Sequence, residues 1–123
     1  MNIRSVKNKV LEVKNIIKQQ NPHILGLSEC ELRKKNNKFD EELLKVPGYV
    51  TLFPKSWATV GRARTLVYVK KTFEFEQVHE LEQEEVQSIC IRCGFKNGKK
   101  IYFAHFPRII LFRFFKFFDR FLI

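Results

Sequence analysis

The sequence lacks the short motifs that mark several large enzyme classes. It has no glycine-rich phosphate loop and no Gly-x-Ser-x-Gly nucleophile motif, which argues against P-loop nucleotide hydrolases and α/β-hydrolases. It has no internal repeat, which argues against solenoids and propellers. It also has no run of about twenty apolar residues, so a transmembrane helix is not expected.

Cysteine is scarce as well. Cys30, Cys90 and Cys93 make an odd number, and no signal peptide is seen, so a reducing compartment is predicted, nuclear or cytoplasmic rather than secreted. Cys90 and Cys93 have the spacing of half a zinc site, but no second pair completes it. We therefore expect both to pack within a strand, and we expect no small-molecule cofactor.

Positive charge is what the sequence has in excess. Its 23 Lys and Arg residues against 13 Asp and Glu residues give a net charge of +10. Such an excess favours polyanions, so nucleic acid is the first candidate partner and an anionic membrane surface the second. A merely basic soluble protein is the plain alternative. Residues 74–85 hold six glutamates and no Lys or Arg, so this segment is expected to lie away from any DNA-facing surface.

Hydrophobic periodicity predicts a helix followed by a buried strand. Apolar residues in 6–20 recur at spacings of four, three and four, which is typical of one amphipathic helix. The stripe consists of Val6, Val10, Val13 and Ile17. The apolar run 23–27 predicts a strand covered on both faces. Ser28 and Glu29 follow at its carboxyl end, where layered α/β folds gather ligand-binding groups.

The later segments predict mostly strands. These are expected over 49–53, 65–69 and 73–78, with a short helix over 40–44. Residues 54–64 are predicted to form a loop. Asn97 and Gly98 predict a hairpin between 86–95 and 99–106, because both central positions of its turn need a positive φ.

The last fifteen residues differ from the rest in composition. Residues 109–123 contain six of the thirteen phenylalanines, and in helical register Arg113, Lys116 and Arg120 share one face. We interpret this Phe-rich basic tail as foreign to the preceding domain, with an interfacial helix that contacts membrane as the lesser alternative. The expected organisation is a partial domain over 1–108 followed by this tail.

Two stretches together resemble a known enzyme family. Asn2-Ile3-Arg4-Ser5, a helix and then Pro22 to Glu29 form the first, and Gly61 to Lys71 form the second. They are similar to the endonuclease/exonuclease/phosphatase superfamily, and within it to the apurinic-type endonuclease domain of non-LTR retrotransposons. The resemblance extends over 1–108. It implies a truncated four-layered α/β sandwich, in which two packed mixed sheets carry outer helices.

The resemblance also implies a chemistry. The family cuts phosphodiester bonds with Mg²⁺, and the retrotransposon branch, associated with reverse transcriptase, nicks DNA. Glu29 matches the family's metal-binding glutamate and Asn2 its first-strand asparagine, so both are candidate catalytic residues. Arg62, Arg64 and Arg108 are candidate contacts to DNA phosphates. An ordinary surface or turn residue is the alternative at each position.

Several departures from the family pattern weaken the expected activity. His23 stands where the family has aspartate, and 104–108 lacks the tyrosine hydroxyl that often precedes the arginine. The later Asn-x-Asp and Ser-Asp-His motifs have no counterpart, since the only aspartates are Asp40 and Asp119. We therefore expect a fragment that is inactive alone. The alternative is a non-catalytic basic module that binds nucleic acid.

Two further residues suggest a function but are expected to pack. His105 lies on a predicted strand among aromatic residues, where a packed or exposed histidine is more common than a general base. Trp57 is expected to anchor the core rather than to stack on a base.

Overall fold

The structure, a computed structural model, describes residues 10–28, 30–36, 41–82, 87–94, 98 and 100–105. The helices described are α1 (Val10–Gln20) and α2 (Lys55–Thr59), and 3-10 turns cover Glu41–Leu44 and His79–Leu81. The strands are β1 (Ile24–Leu27), β2 (Leu32–Arg33), β3 (Tyr49–Leu52), β4 (Arg62–Ala63), β5 (Leu66–Lys70), β6 (Phe75–Gln77), β7 (Ile89–Gly94) and β8 (Lys100–His105). Within these ranges no helix is long and apolar enough to cross a membrane.

Helix α1 packs its apolar stripe in one cluster with β1 and β5. Val13 and Ile17 are buried and Val10 is partly buried, as the spacing predicts. Asn21 ends the helix with a φ of 45°, and its N–H donates to the Ile17 carbonyl at 2.8 Å. Pro22 cannot continue the helix, so the chain turns into β1. The predicted helix is therefore confirmed over its described part.

The first sheet has the strand order β1–β5–β3, with both pairings antiparallel. Strand β1 is buried along its whole length, as its apolar run predicts. The side chains of β1 and of its neighbouring strands alternate between the two faces of the sheet, and both faces are covered. Toward α1 lie Leu25, Leu27, Leu66 and Tyr68. Toward the second sheet lie Ile24, Leu52, Val67 and Val69.

The second sheet, β6–β7–β8, contains the predicted hairpin. Strands β7 and β8 pair from Ile89 opposite His105 to Gly94 opposite Lys100, and Gly98 has a φ of 80°. Side chains of this sheet then complete the core between the sheets. They are Ile89, Ile91, Cys93 and Phe103. Each fully buried side chain of this size contributes about 1.5–3 kcal/mol, so these few residues hold the two sheets together.

Three layers are described: α1, the first sheet and the second sheet. This agrees with an α/β sandwich, while the fourth layer, of helices outside the second sheet, stays a prediction. Every described pairing is antiparallel, so the mixed sheets that we expected are not seen in this part of the chain. In the first sheet, β5 lies between β1 and β3, and both of these strands run opposite to it.

The prediction of a loop over 54–64 is wrong. Lys55–Thr59 forms α2, and Arg62–Ala63 forms β4, which pairs with β2. Five residues are too few to show helical periodicity, and α2 is held instead by the burial of Ser56 and Trp57. Strand β4 exists through a pairing that is distant in sequence, which local composition does not encode.

Tyr68→Phe is expected to lower the free energy of unfolding by about 1–2 kcal/mol. The Tyr68 hydroxyl is fully buried and donates to the Leu44 carbonyl at 2.7 Å, so its removal leaves a buried acceptor without that donor. Urea denaturation at neutral pH would measure the change. Tyr102→Phe is the matched control, because this ring is 52% exposed on β8 and should be neutral. Equal stabilities for the two variants would contradict the prediction.

Candidate nucleic-acid interface

The carboxyl end of β1 is a closely packed part of the molecule. Ser28 and Cys30 are both fully buried, and the Cys30 N–H donates to the Arg64 carbonyl at 2.9 Å. Burial raises the pKa of the Cys30 thiol to about 12, so the group is a neutral core thiol at physiological pH. Glu29, which stands between them in the sequence, lies outside the described residues.

Beside this end, β2 and β4 form a two-stranded antiparallel ribbon. Leu32 lies opposite Ala63, and Arg33 lies opposite Arg62. Leu32 and Ala63 are 2% and 1% exposed, so this cross-strand pair points into the core. Because side chains alternate along a strand, Arg33 and Arg62 both project outward, and both are exposed.

Several hydrogen bonds fix the backbone of β4 and its flanks. Ser56 Oγ donates to the Arg62 carbonyl at 2.7 Å, and the Arg64 N–H donates to Gln87 Oε1 at 2.6 Å. The Lys34 N–H donates to the Gly61 carbonyl at 2.8 Å. Gly61 has a φ of 68°, which favours glycine at this turn. The arginines therefore extend from a backbone that is held on several sides.

The arginines line a cleft of about 570 Å³. Its lining includes Arg33, Arg62, Arg64, Cys30, Glu31 and Gln87. Among the described residues that line it, three guanidinium groups stand against one carboxylate, a balance of charge that suits an anion. Glu74 and Glu76 of the acidic segment line a separate pocket with Arg92, which is ion-paired with Glu76.

His105 lies at the same end of β1 but inside the core. It is fully buried on β8, and its Nε2 lies 3.1 Å from the Leu27 carbonyl. Since a carbonyl only accepts, Nε2 carries the proton and donates. Burial lowers the pKa of His105 to about 4, against the opposing effect of the Leu27 carbonyl. The expected packing role is confirmed, and a fully buried imidazole is out of reach of an external substrate.

Trp57 anchors the core, as predicted. Its side chain is 4% exposed, stacks on Phe53 with ring centroids 5.2 Å apart, and donates from Nε1 to Glu41 at 2.7 Å. Lys34 Nζ lies 4.8 Å from the indole centroid.

Cys90 and Cys93 are confirmed as buried strand residues. Both lie on β7 as free thiols. Burial raises the pKa of Cys93 to about 12 and also raises the pKa of Cys90, so neither is a reactive thiolate.

The structure brings together part of the predicted site and adds to it. Arg62 and Arg64 line one cleft, and Arg33, which the sequence did not single out, lines it with them. Asn2, Glu29, Arg108 and the tail over 109–123 lie outside the described residues. In the ranges that are described, no three His, Cys, Asp or Glu side chains are grouped so that they could hold a metal ion.

Comparison with solved structures finds a similar fold. The endonuclease domain of TRAS1, a telomere-specific non-LTR retrotransposon, matches with a TM-score of 0.57 and 8% sequence identity. The match covers 85% of this chain and 42% of that one, so the chain spans less than half the length of the domain it resembles. No protein-family profile and no curated protein matches the sequence. At this identity the likeness shows the fold alone: an α/β chain built from antiparallel sheets, similar to part of a retrotransposon endonuclease domain.

Proposed function

We propose that this chain is the amino-terminal part of a Mg²⁺-dependent DNA endonuclease domain of the retrotransposon type, and that these 123 residues alone do not cut DNA. The observation that carries the proposal is the fold match to less than half of such a domain. The placement of three arginines beside the end of β1 supports it, since Glu29 follows two residues after that strand in the sequence. DNA is the proposed substrate and partner.

The proposed metal site rests on Glu29. Mg²⁺ prefers hard oxygen ligands and keeps several waters, so one carboxylate can hold it while substrate phosphate completes the shell. Cys30, the neighbouring soft donor, is fully buried with its Sγ 4.0 Å from the Leu27 carbonyl, whereas Glu31 offers an exposed hard carboxylate in the same cleft. When bound, Mg²⁺ would act as a Lewis acid on the scissile phosphate. Asn2 would orient the phosphate, and Arg62, Arg64 and Arg108 would hold the DNA backbone.

The proposed lack of activity follows from the missing motifs. The Asn-x-Asp and Ser-Asp-His segments of the family would supply a transition-state donor and the group that activates water. Each such contribution is typically worth about 10²–10⁴-fold in rate. Only Asp40 and Asp119 are present, and neither stands in such a motif. Without both contributions no practical turnover remains.

Nicking of supercoiled plasmid tests the catalytic part of the proposal. The purified chain with Mg²⁺ should nick no faster than the same chain with EDTA, and Glu29→Gln should behave identically. Circular dichroism should show that both proteins are folded. Mg²⁺-dependent nicking that disappears in Glu29→Gln would overturn the proposed inactivity.

Binding of Mn²⁺, as a paramagnetic substitute for Mg²⁺, tests the metal site without requiring turnover. Line broadening in NMR spectra should disappear in Glu29→Gln and persist in Glu31→Gln, a matched carboxylate two residues later. Broadening that persists in Glu29→Gln, or disappears equally in both variants, would contradict the assignment of Glu29.

A second candidate function is a non-catalytic module that binds nucleic acid. The arginine-lined cleft favours it, because phosphate contacts need neither a metal nor the missing motifs. Under this alternative, DNA binding depends on salt concentration and is unchanged by Glu29→Ala, and Mn²⁺ broadening is absent from the unmodified chain.

A further inference from the structure

We propose that Arg33 acts together with Arg62 and Arg64 as one binding site for the backbone phosphates of double-stranded DNA. The identity of the partner rests on the proposed function, whereas the grouping of the arginines rests on the geometry of the β2–β4 ribbon. Nothing in the local sequence around Arg33 separates it from the neighbouring basic residues Lys34 and Lys35.

The register of the ribbon brings the three side chains to one surface. Arg33 and Arg62 are directly opposite in an antiparallel pair, so their Cβ atoms are about 4.5–5.5 Å apart. Arg64 lies at a bend just after β4, so the lining of the cleft, rather than strand alternation, places it beside them. All three line the same cleft. The three guanidinium groups can therefore converge on one phosphate or on neighbouring phosphates.

Two arginines directly opposite each other are an unfavourable arrangement without an anion. Like charges at such positions repel and destabilise a strand pair. In the described part of the chain none of the three guanidinium groups forms an ion pair, although Glu31 lines the same cleft. All three arginines are exposed and accessible. A bound phosphodiester would relieve the repulsion that the fold itself creates between Arg33 and Arg62.

The supporting backbone makes the site suitable for binding. The hydrogen bonds from Ser56 to Arg62 and from Arg64 to Gln87 hold β4 before any ligand arrives. Less ordering is then needed when DNA binds. The planar guanidinium group can donate two parallel hydrogen bonds to a phosphate, which an ammonium group cannot. Contacts of this kind position a duplex but do not read its sequence.

Fluorescence anisotropy with a labelled duplex, in EDTA and over a series of salt concentrations, tests the inference. Removing one arginine that neutralises a phosphate reduces the slope of log K against log salt by about 0.9. Arg33→Ala should show a reduction of about this size, equally on two duplexes of unrelated sequence. Arg33→Lys should keep most of the slope but bind more weakly, because it keeps the charge without the paired hydrogen bonds.

Arg92→Ala is the matched control, since it removes the same charge from a residue paired with Glu76 in a different pocket. Its slope should equal that of the unmodified chain. If Arg33→Ala and Arg33→Gln, both folded by circular dichroism, behave like Arg92→Ala, the inference is overturned while the proposed function stands. If the unmodified chain shows no salt-dependent DNA binding, DNA as the partner is overturned, and with it both proposals.

Discussion

Gly26→Ala is expected to destabilise the chain by about 3 kcal/mol, the upper end of the usual cost of overpacking. A Cβ atom at Gly26 would lie 2.8 Å from both Cε1 and Nδ1 of His105, closer than real Cβ contacts. The imidazole cannot easily move away, because it is fully buried and bonded to the Leu27 carbonyl. The added methyl group would therefore push the two sheets apart at the end of β1.

Urea denaturation at pH 7 would measure this destabilisation. Gly94→Ala is the matched control, since Gly94 is also a strand residue and a Cβ there meets nothing within 4 Å. It should change stability by less than about 0.5 kcal/mol. In the double variant Gly26→Ala/His105→Ala, most of the clash is removed, so the two effects on stability should not add. Additive effects would show that the His105 ring is not what excludes a side chain at Gly26.

The elements that the sequence predicted are those that leave a local signal in the sequence. Helix α1 has a periodic stripe and a clear end at Asn21, and β1 is a bounded apolar run. The hairpin connection contains Gly98, whose φ of 80° favours glycine. Each of these signals depends on neighbours in sequence, which is why a single sequence is enough to show them.

The elements that it missed depend on distant partners. Helix α2 exists because Trp57 has Phe53, Glu41 and Lys34 around it, and β4 exists because β2 lies beside it. The same limitation applies to the candidate site. Arg62 and Arg64 stood in a glycine-containing segment that matched the family pattern, whereas Arg33 joins them only through the cross-strand register.

The segment that leads to the candidate site is held from two sides. From one side, the backbone carbonyl of Arg64 accepts a hydrogen bond from the Cys30 N–H at 2.9 Å. From the other, His105 donates to the Leu27 carbonyl at 3.1 Å. Ser28 and Glu29 lie between these two anchors in the sequence. The core packing of His105 therefore bears on the proposed function, although the side chain itself does not reach a substrate.

This arrangement predicts that acid weakens the fold through His105. The pKa of the buried imidazole is lowered from 6.5 to about 4, chiefly by desolvation. Between these values the unfolded chain binds a proton that the folded chain does not, so stability falls as the pH falls. The contribution is fully present above about pH 6.5 and declines progressively down to about pH 4. It amounts to about 3 kcal/mol at 1.36 kcal/mol per pH unit.

The free energy of unfolding should be measured from about pH 7.5 to about pH 4 for the unmodified chain and for His105→Gln. Carboxylates titrate in both proteins, so the difference between the two curves isolates the imidazole. That difference should shrink by about 3 kcal/mol as the pH falls. His79→Gln, which removes an imidazole that is 58% exposed, should show the same dependence of stability on pH as the unmodified chain.

NMR titration gives a second measure, in which the His105 ring stays neutral at about pH 5. Parallel curves for the unmodified chain and His105→Gln, or a ring that protonates near pH 6.5, would show that the bond between His105 and Leu27 does not lie in a desolvated core.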